Sequence, residues 1–168
     1  GDYCAGNYQA SKQRQEDVDQ LISEVKKRVP SITEVWLVGT SMGTISSSFM
    51  PTHNASAYAG AIHTAAITEP YARGSYRELG GFDYKKSQIP QFFIHHISDP
   101  CGLTTYSGAK SIAEKYDVAL VTVSGGTGFQ GPACAAFTEH GFRGKEKEVM
   151  NAVTAIIKTG KSSQLDIN

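Results

Sequence analysis

The chain has 168 residues, of which 40% are hydrophobic and 19% charged, so its composition is that of a folded domain and not of a disordered one. Sixteen basic residues balance sixteen acidic ones, which excludes an overall field that would attract nucleic acid or an anionic membrane. No apolar stretch is long enough to span a bilayer. We therefore expect a single domain with neither a nucleic-acid nor a membrane partner.

The first predicted element is a helix from about Gln13 to Arg28, which Pro30 follows. Its apolar residues recur at helical spacing opposite a charged face, which predicts an amphipathic helix. The members of this apolar stripe are Val18, Leu21, Ile22, Val25 and Val29.

Four short apolar runs alternate with helical patterns along the rest of the chain. The predicted strands are Glu34–Val38, Ala57–Ile62, Phe92–Ile97 and Val118–Val123. The predicted helices follow Ser41 as far as Met50, where Pro51 ends the helix, and then cover Thr105–Tyr116 and Glu146–Lys158. We interpret Thr68–Ile89 as a loop with at most one helical turn, and Lys161–Asn168 as a frayed polar tail. The alternation predicts an α/β fold, a parallel sheet covered by helices on both faces.

The first of these strands leads directly into Gly39-Thr40-Ser41-Met42-Gly43, a Gly-x-Ser-x-Gly motif between a strand and a helix. Such a turn holds a serine hydroxyl up as a nucleophile, and glycines allow strand and helix to approach closely. The Met42 N–H and the helix N-terminus would then face developing negative charge. The alternative is a plain glycine-rich turn.

A serine nucleophile needs a base to accept its proton and a carboxylate to orient that base. Asp99 follows the third strand and His140 follows the fourth, and in a parallel sheet such loops meet at one edge. The order Ser41, Asp99, His140 is the order that this fold class uses. Asp99 before Pro100 also suits a simple turn, and His140 also suits a surface loop.

Together with His96-Ile97-Ser98-Asp99-Pro100-Cys101 and Glu139-His140-Gly141-Phe142, the serine motif resembles the C-terminal half of an α/β-hydrolase. The resemblance implies Ser41 as nucleophile, His140 as base and Asp99 as orienting acid. It implies cleavage of small carboxylic esters through an acyl-enzyme, with no cofactor and no metal.

The family's sheet has about eight strands, and by this resemblance the chain starts near the end of the fourth. The loop that supplies a second oxyanion donor beside Met42 would then precede Gly1. The alternatives to an active esterase are a weak or inactive binding module of truncated hydrolase fold, and one chain of a split hydrolase. A processed product or a fragment would explain why the chain opens at Gly1 without an initiator Met and without a signal peptide.

Three cysteines cannot all pair with one another. A working triad would bring the loops of Cys101 and Cys134 together, and either a disulfide or two free thiols would suit that position; Cys4 would be left over. A disulfide would favour an oxidising compartment, periplasmic or secreted.

The resemblance implies that the strand Glu34–Val38 is central in the family's sheet and pairs on one side with the family's third strand. Without that strand, Val35–Val38 would present an unpaired apolar edge, and such edges recruit other strands. We therefore expect a homo-oligomer, or pairing with a missing N-terminal half.

Overall fold

The computed structural model describes residues 6–70, 79–126 and 130–168. Cys4 lies outside these residues. The described chain contains a five-stranded parallel sheet whose strands follow one another in sequence order. The strands are β1 (Trp36–Thr40), β2 (Gly60–Thr64), β3 (Gln91–His96), β4 (Ala119–Val123) and β5 (Asp166–Ile167). The predicted α/β class is confirmed.

Helices cover both faces of the sheet. The helices are α1 (Gly6–Gln9), α2 (Lys12–Arg28), α3 (Gly43–His53), α4 (Tyr106–Tyr116) and α5 (Glu146–Thr159). On one face α4 and α3 pack with Phe93 in a core cluster that includes Ile112 and Phe49. On the other face α5 packs on β2, β3, β4 and β5, because its apolar stripe of Val149, Val153 and Ile156 meets their side chains. No described helix has the length and hydropathy that a membrane span requires.

The first strand was predicted at Glu34–Val38, but β1 covers Trp36–Thr40, two residues later. Two further predicted boundaries, at Pro51 and around Ala57, are also wrong. Helix α3 does not end before Pro51 but continues to His53, with Pro51 buried inside it. Pro51 has no N–H to donate to the carbonyl four residues earlier, so one helical hydrogen bond is lost, but the Asn54 N–H still donates to the Met50 carbonyl at 3.2 Å and closes the last turn. Residues Ala55–Ala57 form a short 3-10 helix, so β2 begins only at Gly60. Within the predicted loop Thr68–Ile89, Tyr84–Ser87 form a 3-10 turn, while residues 71–78 of that loop lie outside the described residues.

The polar tail is not frayed, contrary to prediction. Asp166 and Ile167 form β5 alongside Thr122 and Val123, and the Ser124 N–H donates to the Ile167 carbonyl at 2.8 Å. The Ile167 side chain is 2% exposed because it completes the core under α5. One buried apolar side chain and a few ladder bonds thus hold the tail against β4.

The stripe of α2 forms on a helix as predicted, yet most of it is not covered. Leu21, Val25 and Val29 are exposed by 62%, 40% and 46%, and the buried residue of this helix is the polar Gln15. Gln15 accepts a hydrogen bond from the Tyr58 hydroxyl at 2.9 Å and donates one to Asp19. The helix therefore joins the fold largely through polar contacts, with Val18 and Ile22 partly buried and the rest of its apolar stripe facing outward.

A polar network crosses the core at His63, in the middle of the fully buried strand β2. Ser47 donates to His63 Nδ1 at 2.8 Å, and His63 Nε2 lies 2.5 Å from the Gln91 side-chain oxygen. These partners fit the neutral imidazole, which donates at one nitrogen and accepts at the other. Burial, only partly opposed by the bond to Gln91, lowers the pKa of His63 from 6.5 to about 4.

We expect this histidine to make the fold less stable in acid. Between about pH 6.5 and pH 4 the unfolded chain binds a proton at His63 that the folded chain does not, so the free energy of unfolding falls as the pH falls. The full effect is about 3 kcal/mol. Urea unfolding at pH 7 and pH 4.5 measures it, and His63→Asn should show a smaller loss between these pH values than the unsubstituted chain. Equal losses in the two proteins would contradict the assignment.

Candidate active site

The serine of the Gly-x-Ser-x-Gly motif lies in the turn between β1 and α3. Ser41 has a φ of +52°, in the left-handed region that non-glycine residues rarely adopt. Its N–H donates to the Thr64 carbonyl at 3.0 Å, and its carbonyl accepts from the Thr44 N–H at 2.9 Å. The turn is therefore fixed on one side by β2 and on the other by the first turn of α3. Strain of this kind is commonly found at functional sites.

The Ser41 side chain is left available by this arrangement. Its Oγ has no hydrogen-bond partner among the described residues, and the residue is only partly buried. The Met42 N–H likewise makes no hydrogen bond within the described chain, since the first backbone bonds at this end of α3 come from Thr44 and Ile45. A free amide beside a free hydroxyl at a helix N-terminus suits an oxyanion that forms on a group attacked by the hydroxyl.

The two glycines of the motif differ in what they permit. A Cβ on Gly39 would lie 2.5 Å from the Gly43 carbonyl oxygen and would also collide with the Ser47 side chain. A Cβ on Gly43 would meet no atom within 4 Å. The close approach of strand and helix thus depends on Gly39 alone, and the prediction that Gly43 is also needed for it is wrong.

We expect Gly39→Ala to lower the free energy of unfolding by about 1–3 kcal/mol, because the collision with Gly43 involves backbone that cannot move aside. The matched variant Gly43→Ala should change stability by less than about 1 kcal/mol, and in the stabilising direction, because alanine favours a helix over glycine. Urea midpoints of the two variants test this pair. A larger loss for Gly43→Ala than for Gly39→Ala would contradict it.

Asp99 and His140 come together at the carboxyl end of the sheet. His140 Nδ1 lies 3.0 Å from Asp99 Oδ2 and 3.3 Å from Oδ1, and both side chains are almost completely buried. The 3-10 turn Glu139–Gly141 positions the histidine, and the Thr138 hydroxyl caps this turn by accepting from the His140 N–H at 3.1 Å. His140 is therefore a buried residue with a carboxylate partner, and the surface-loop alternative is wrong.

The Asp99 carboxylate is held by two further donors. The Cys101 N–H donates to Oδ1 at 2.9 Å, and the Thr104 hydroxyl donates to Oδ2 at 2.8 Å. The bond to Cys101 is the turn that Asp-Pro suggested, so Asp99 both forms a turn and binds the histidine. Thr104 also lies 3.1 Å from His140 Nδ1 and is fully buried. The sequence pattern did not single out Thr104, because only the path of the loop after β3 brings it back to Asp99.

Because His140 Nδ1 faces the Asp99 carboxylate, the neutral ring carries its proton on Nδ1. Nε2 is then the basic nitrogen of His140. Nε2 of His140 has no hydrogen-bond partner among the described residues. Ser41 and Asp99 follow strands that are separated by β2 alone, roughly 10 Å of sheet at the usual strand spacing. No hydrogen bond joins His140 to Ser41 in the structure, so two of the three predicted residues are in contact and the third lies free at the same edge.

The disulfide alternative is the one that the structure shows. Cys101 and Cys134 are bonded, with Cα atoms 4.6 Å apart, as a bridge requires. Cys101 lies two residues after Asp99, and Cys134 lies six residues before His140. The bond therefore ties the loop that carries the acid to the loop that carries the histidine.

Strand β3 carries two histidines, His95 and His96, whose side chains form no hydrogen bond with the side chains of Asp99 and His140. His96 Nε2 donates to the Gly125 carbonyl at 2.9 Å, and its Nδ1 accepts from the Ser98 N–H. His95 is fully buried against the Tyr106 ring. Burial lowers the pKa of His95, while the nearby Asp99 charge opposes that shift. Among the described residues, no group of three His, Cys, Asp or Glu side chains could hold a metal ion.

Comparisons with known proteins return no match: no family model matches the chain, and neither the curated proteins nor the solved structures contain a match.

Proposed function

We propose that this chain is a serine hydrolase that cleaves small carboxylic esters through an acyl-enzyme. The observation that carries the proposal is the buried Asp99–His140 hydrogen bond, 3.0 Å long, at the sheet edge where Ser41 lies in a strained strand-to-helix turn. A buried carboxylate that fixes one imidazole nitrogen and leaves the other free is what a general base needs. The resemblance of the motifs to α/β-hydrolases supports the same roles.

In the proposed reaction, Ser41 Oγ attacks the ester carbonyl carbon while His140 Nε2 takes the hydroxyl proton. Asp99 stabilises the imidazolium that forms, and the Met42 N–H donates to the oxyanion of the tetrahedral intermediate. The intermediate then collapses and releases the alcohol, which takes the proton from His140. Water then attacks the acyl carbon while His140 Nε2 takes one of its protons. Collapse of the second tetrahedral intermediate releases the acid and returns that proton from His140 to Ser41 Oγ.

Two further features support the proposal: the hydrogen bonds that orient Asp99, and the disulfide, which bears on the compartment in which the protein works. Thr104 and the Cys101 N–H hold Asp99 with good hydrogen bonds, so the carboxylate is oriented before substrate binds. The Cys101–Cys134 disulfide supports the inference that the protein works in an oxidising compartment, periplasmic or secreted.

The test is labelling with a fluorophosphonate, which reacts quickly only with an activated serine. We expect a single labelled residue, Ser41, identified by peptide mass spectrometry, and complete loss of labelling in Ser41→Ala. Ser98→Ala is the matched control, because Ser98 is an exposed serine at the same sheet edge. Labelling that survives in Ser41→Ala, or a folded chain that the probe does not label, would overturn the proposal.

A further inference from the structure

A short segment, residues 65–69, follows β2 and lies between the Ser41 turn and the loop that carries Asp99. Strands β1, β2 and β3 are parallel neighbours, so the segments that follow them lie in that order along the carboxyl edge of the sheet. Ala65 leaves β2 with a φ of +45°, in the left-handed region, and residues 65–68 are buried. The segment is therefore placed to fix the position of one loop relative to the other.

One side chain joins the Ser41 turn to this segment. Thr44 lies in the first turn of α3 and is fully buried. Its hydroxyl donates to the Ser41 carbonyl at 2.5 Å and accepts from the Ile67 N–H at 3.2 Å. In the described part of the chain, no other hydrogen bond joins residues 41–44 to residues 65–69.

The same segment is bonded to the loop after β3. The Thr68 N–H donates to the Leu103 carbonyl at 2.9 Å, and the Thr68 hydroxyl accepts from the Thr105 N–H at 3.2 Å. Thr104 lies between these two partners, and its hydroxyl donates to the Asp99 carboxylate. A chain of peptide units and hydrogen bonds thus runs from the serine turn to the orienting carboxylate.

We propose that Thr44 is a positioning residue of the active site, a role that rests on the proposed ester hydrolysis. Its hydroxyl holds the Ser41 turn against residues 65–69 and thereby sets the distance between Ser41 Oγ and His140 Nε2. These two atoms lie on loops that follow different strands, and no direct hydrogen bond fixes them to each other. A misplacement of about 1 Å between reacting groups costs on the order of 10²-fold in rate.

Thr44→Val tests the role of the hydroxyl. Valine keeps the branched shape but leaves the buried Ile67 N–H without an acceptor. We expect kcat for a short-chain ester to fall by about 10–100-fold and KM to change by less than about threefold, because the geometry of attack is altered and not the binding of the substrate. Thr44→Ser keeps the hydroxyl and should retain kcat within about threefold of the unsubstituted chain.

Thr52→Val is the matched control. Thr52 lies at the other end of α3, and its hydroxyl makes the same kind of bond, to the carbonyl of Phe49 three residues earlier, at 2.6 Å. We expect this variant to keep the kcat of the unsubstituted chain. Thr68→Val breaks the chain of bonds at its next step, at Thr105, and should lower kcat as Thr44→Val does. Urea unfolding shows that each variant is folded.

Amide hydrogen exchange, followed by mass spectrometry of peptides, tests the link without any reaction. Exchange at the Ile67 N–H should become about tenfold faster in Thr44→Val and should not change in Thr44→Ser or Thr52→Val. Unchanged exchange in Thr44→Val, or a kcat within threefold of that of an active unsubstituted chain, would overturn this inference alone. An unsubstituted chain that neither hydrolyses esters nor reacts with a fluorophosphonate would instead overturn the proposed function, and the positioning role with it.

Discussion

Replacing Asp99 by Asn is expected to lower kcat/KM for a short-chain ester by about 10³–10⁴-fold. The amide keeps the shape of the carboxyl group, so the contacts with Cys101 and Thr104 change little in geometry. It lacks the charge that would stabilise the His140 imidazolium in the proposed reaction, and it removes the preference for a proton on Nδ1. The base would then be both weaker and wrongly oriented.

Asp117→Asn is the matched control for this measurement. Asp117 is exposed and adopts a φ of +52° after α4, a conformation that Asn tolerates as well as Asp does. We expect it to leave kcat/KM unchanged, with urea unfolding used to show that both variants are folded. An Asp99→Asn variant within tenfold of the unsubstituted chain would contradict the role given to Asp99.

The second large effect should come from the disulfide. Replacing Cys101 and Cys134 together by serine releases a link between residues 33 positions apart. The free energy of unfolding should fall by roughly 3–4 kcal/mol, because the unfolded chain regains the freedom that the link removed. Ester hydrolysis should fall too, since Asp99 and His140 lie on the two loops that the bond joins.

Urea unfolding and ester hydrolysis are each measured with and without dithiothreitol. The comparison separates loss of the disulfide from any local effect of the serines introduced at positions 101 and 134. The reductant should weaken the unsubstituted chain and leave the double variant unaffected. Cys4→Ser should behave as the unsubstituted chain. An unchanged urea midpoint in the double variant would show that the bond does not stabilise the fold.

The fold class was predictable because β2, β3 and β4 are apolar runs that alternate with amphipathic helices. Strand β5 was not, since a two-residue strand leaves no periodic pattern, and Ile167 is the one apolar residue that buries itself there. The stripe of α2 shows the other limit. Periodicity reveals an apolar face, but it does not reveal whether anything in the chain covers that face.

In the candidate site, too, some residues were predictable from the sequence and others were not. Ser41, Asp99 and His140 stood out because each follows a predicted strand. Thr104 and the network around His63 did not, because their partners are distant in sequence: Thr104 meets His140 across 36 residues, and His63 meets Gln91 across 28. Such contacts depend on how loops and neighbouring strands are placed, and a local pattern does not encode that placement.

The positive φ of Ser41 also limits which nucleophile this turn can carry. Branching at Cβ is strongly disfavoured in the left-handed region, so threonine would strain the turn even though its hydroxyl has the same chemistry. Cysteine has no such branch and would fit the backbone as serine does. Among side chains that carry a hydroxyl or a thiol on Cβ, this position therefore accepts serine and cysteine but not threonine. The backbone conformation thus excludes threonine before any question of reactivity arises.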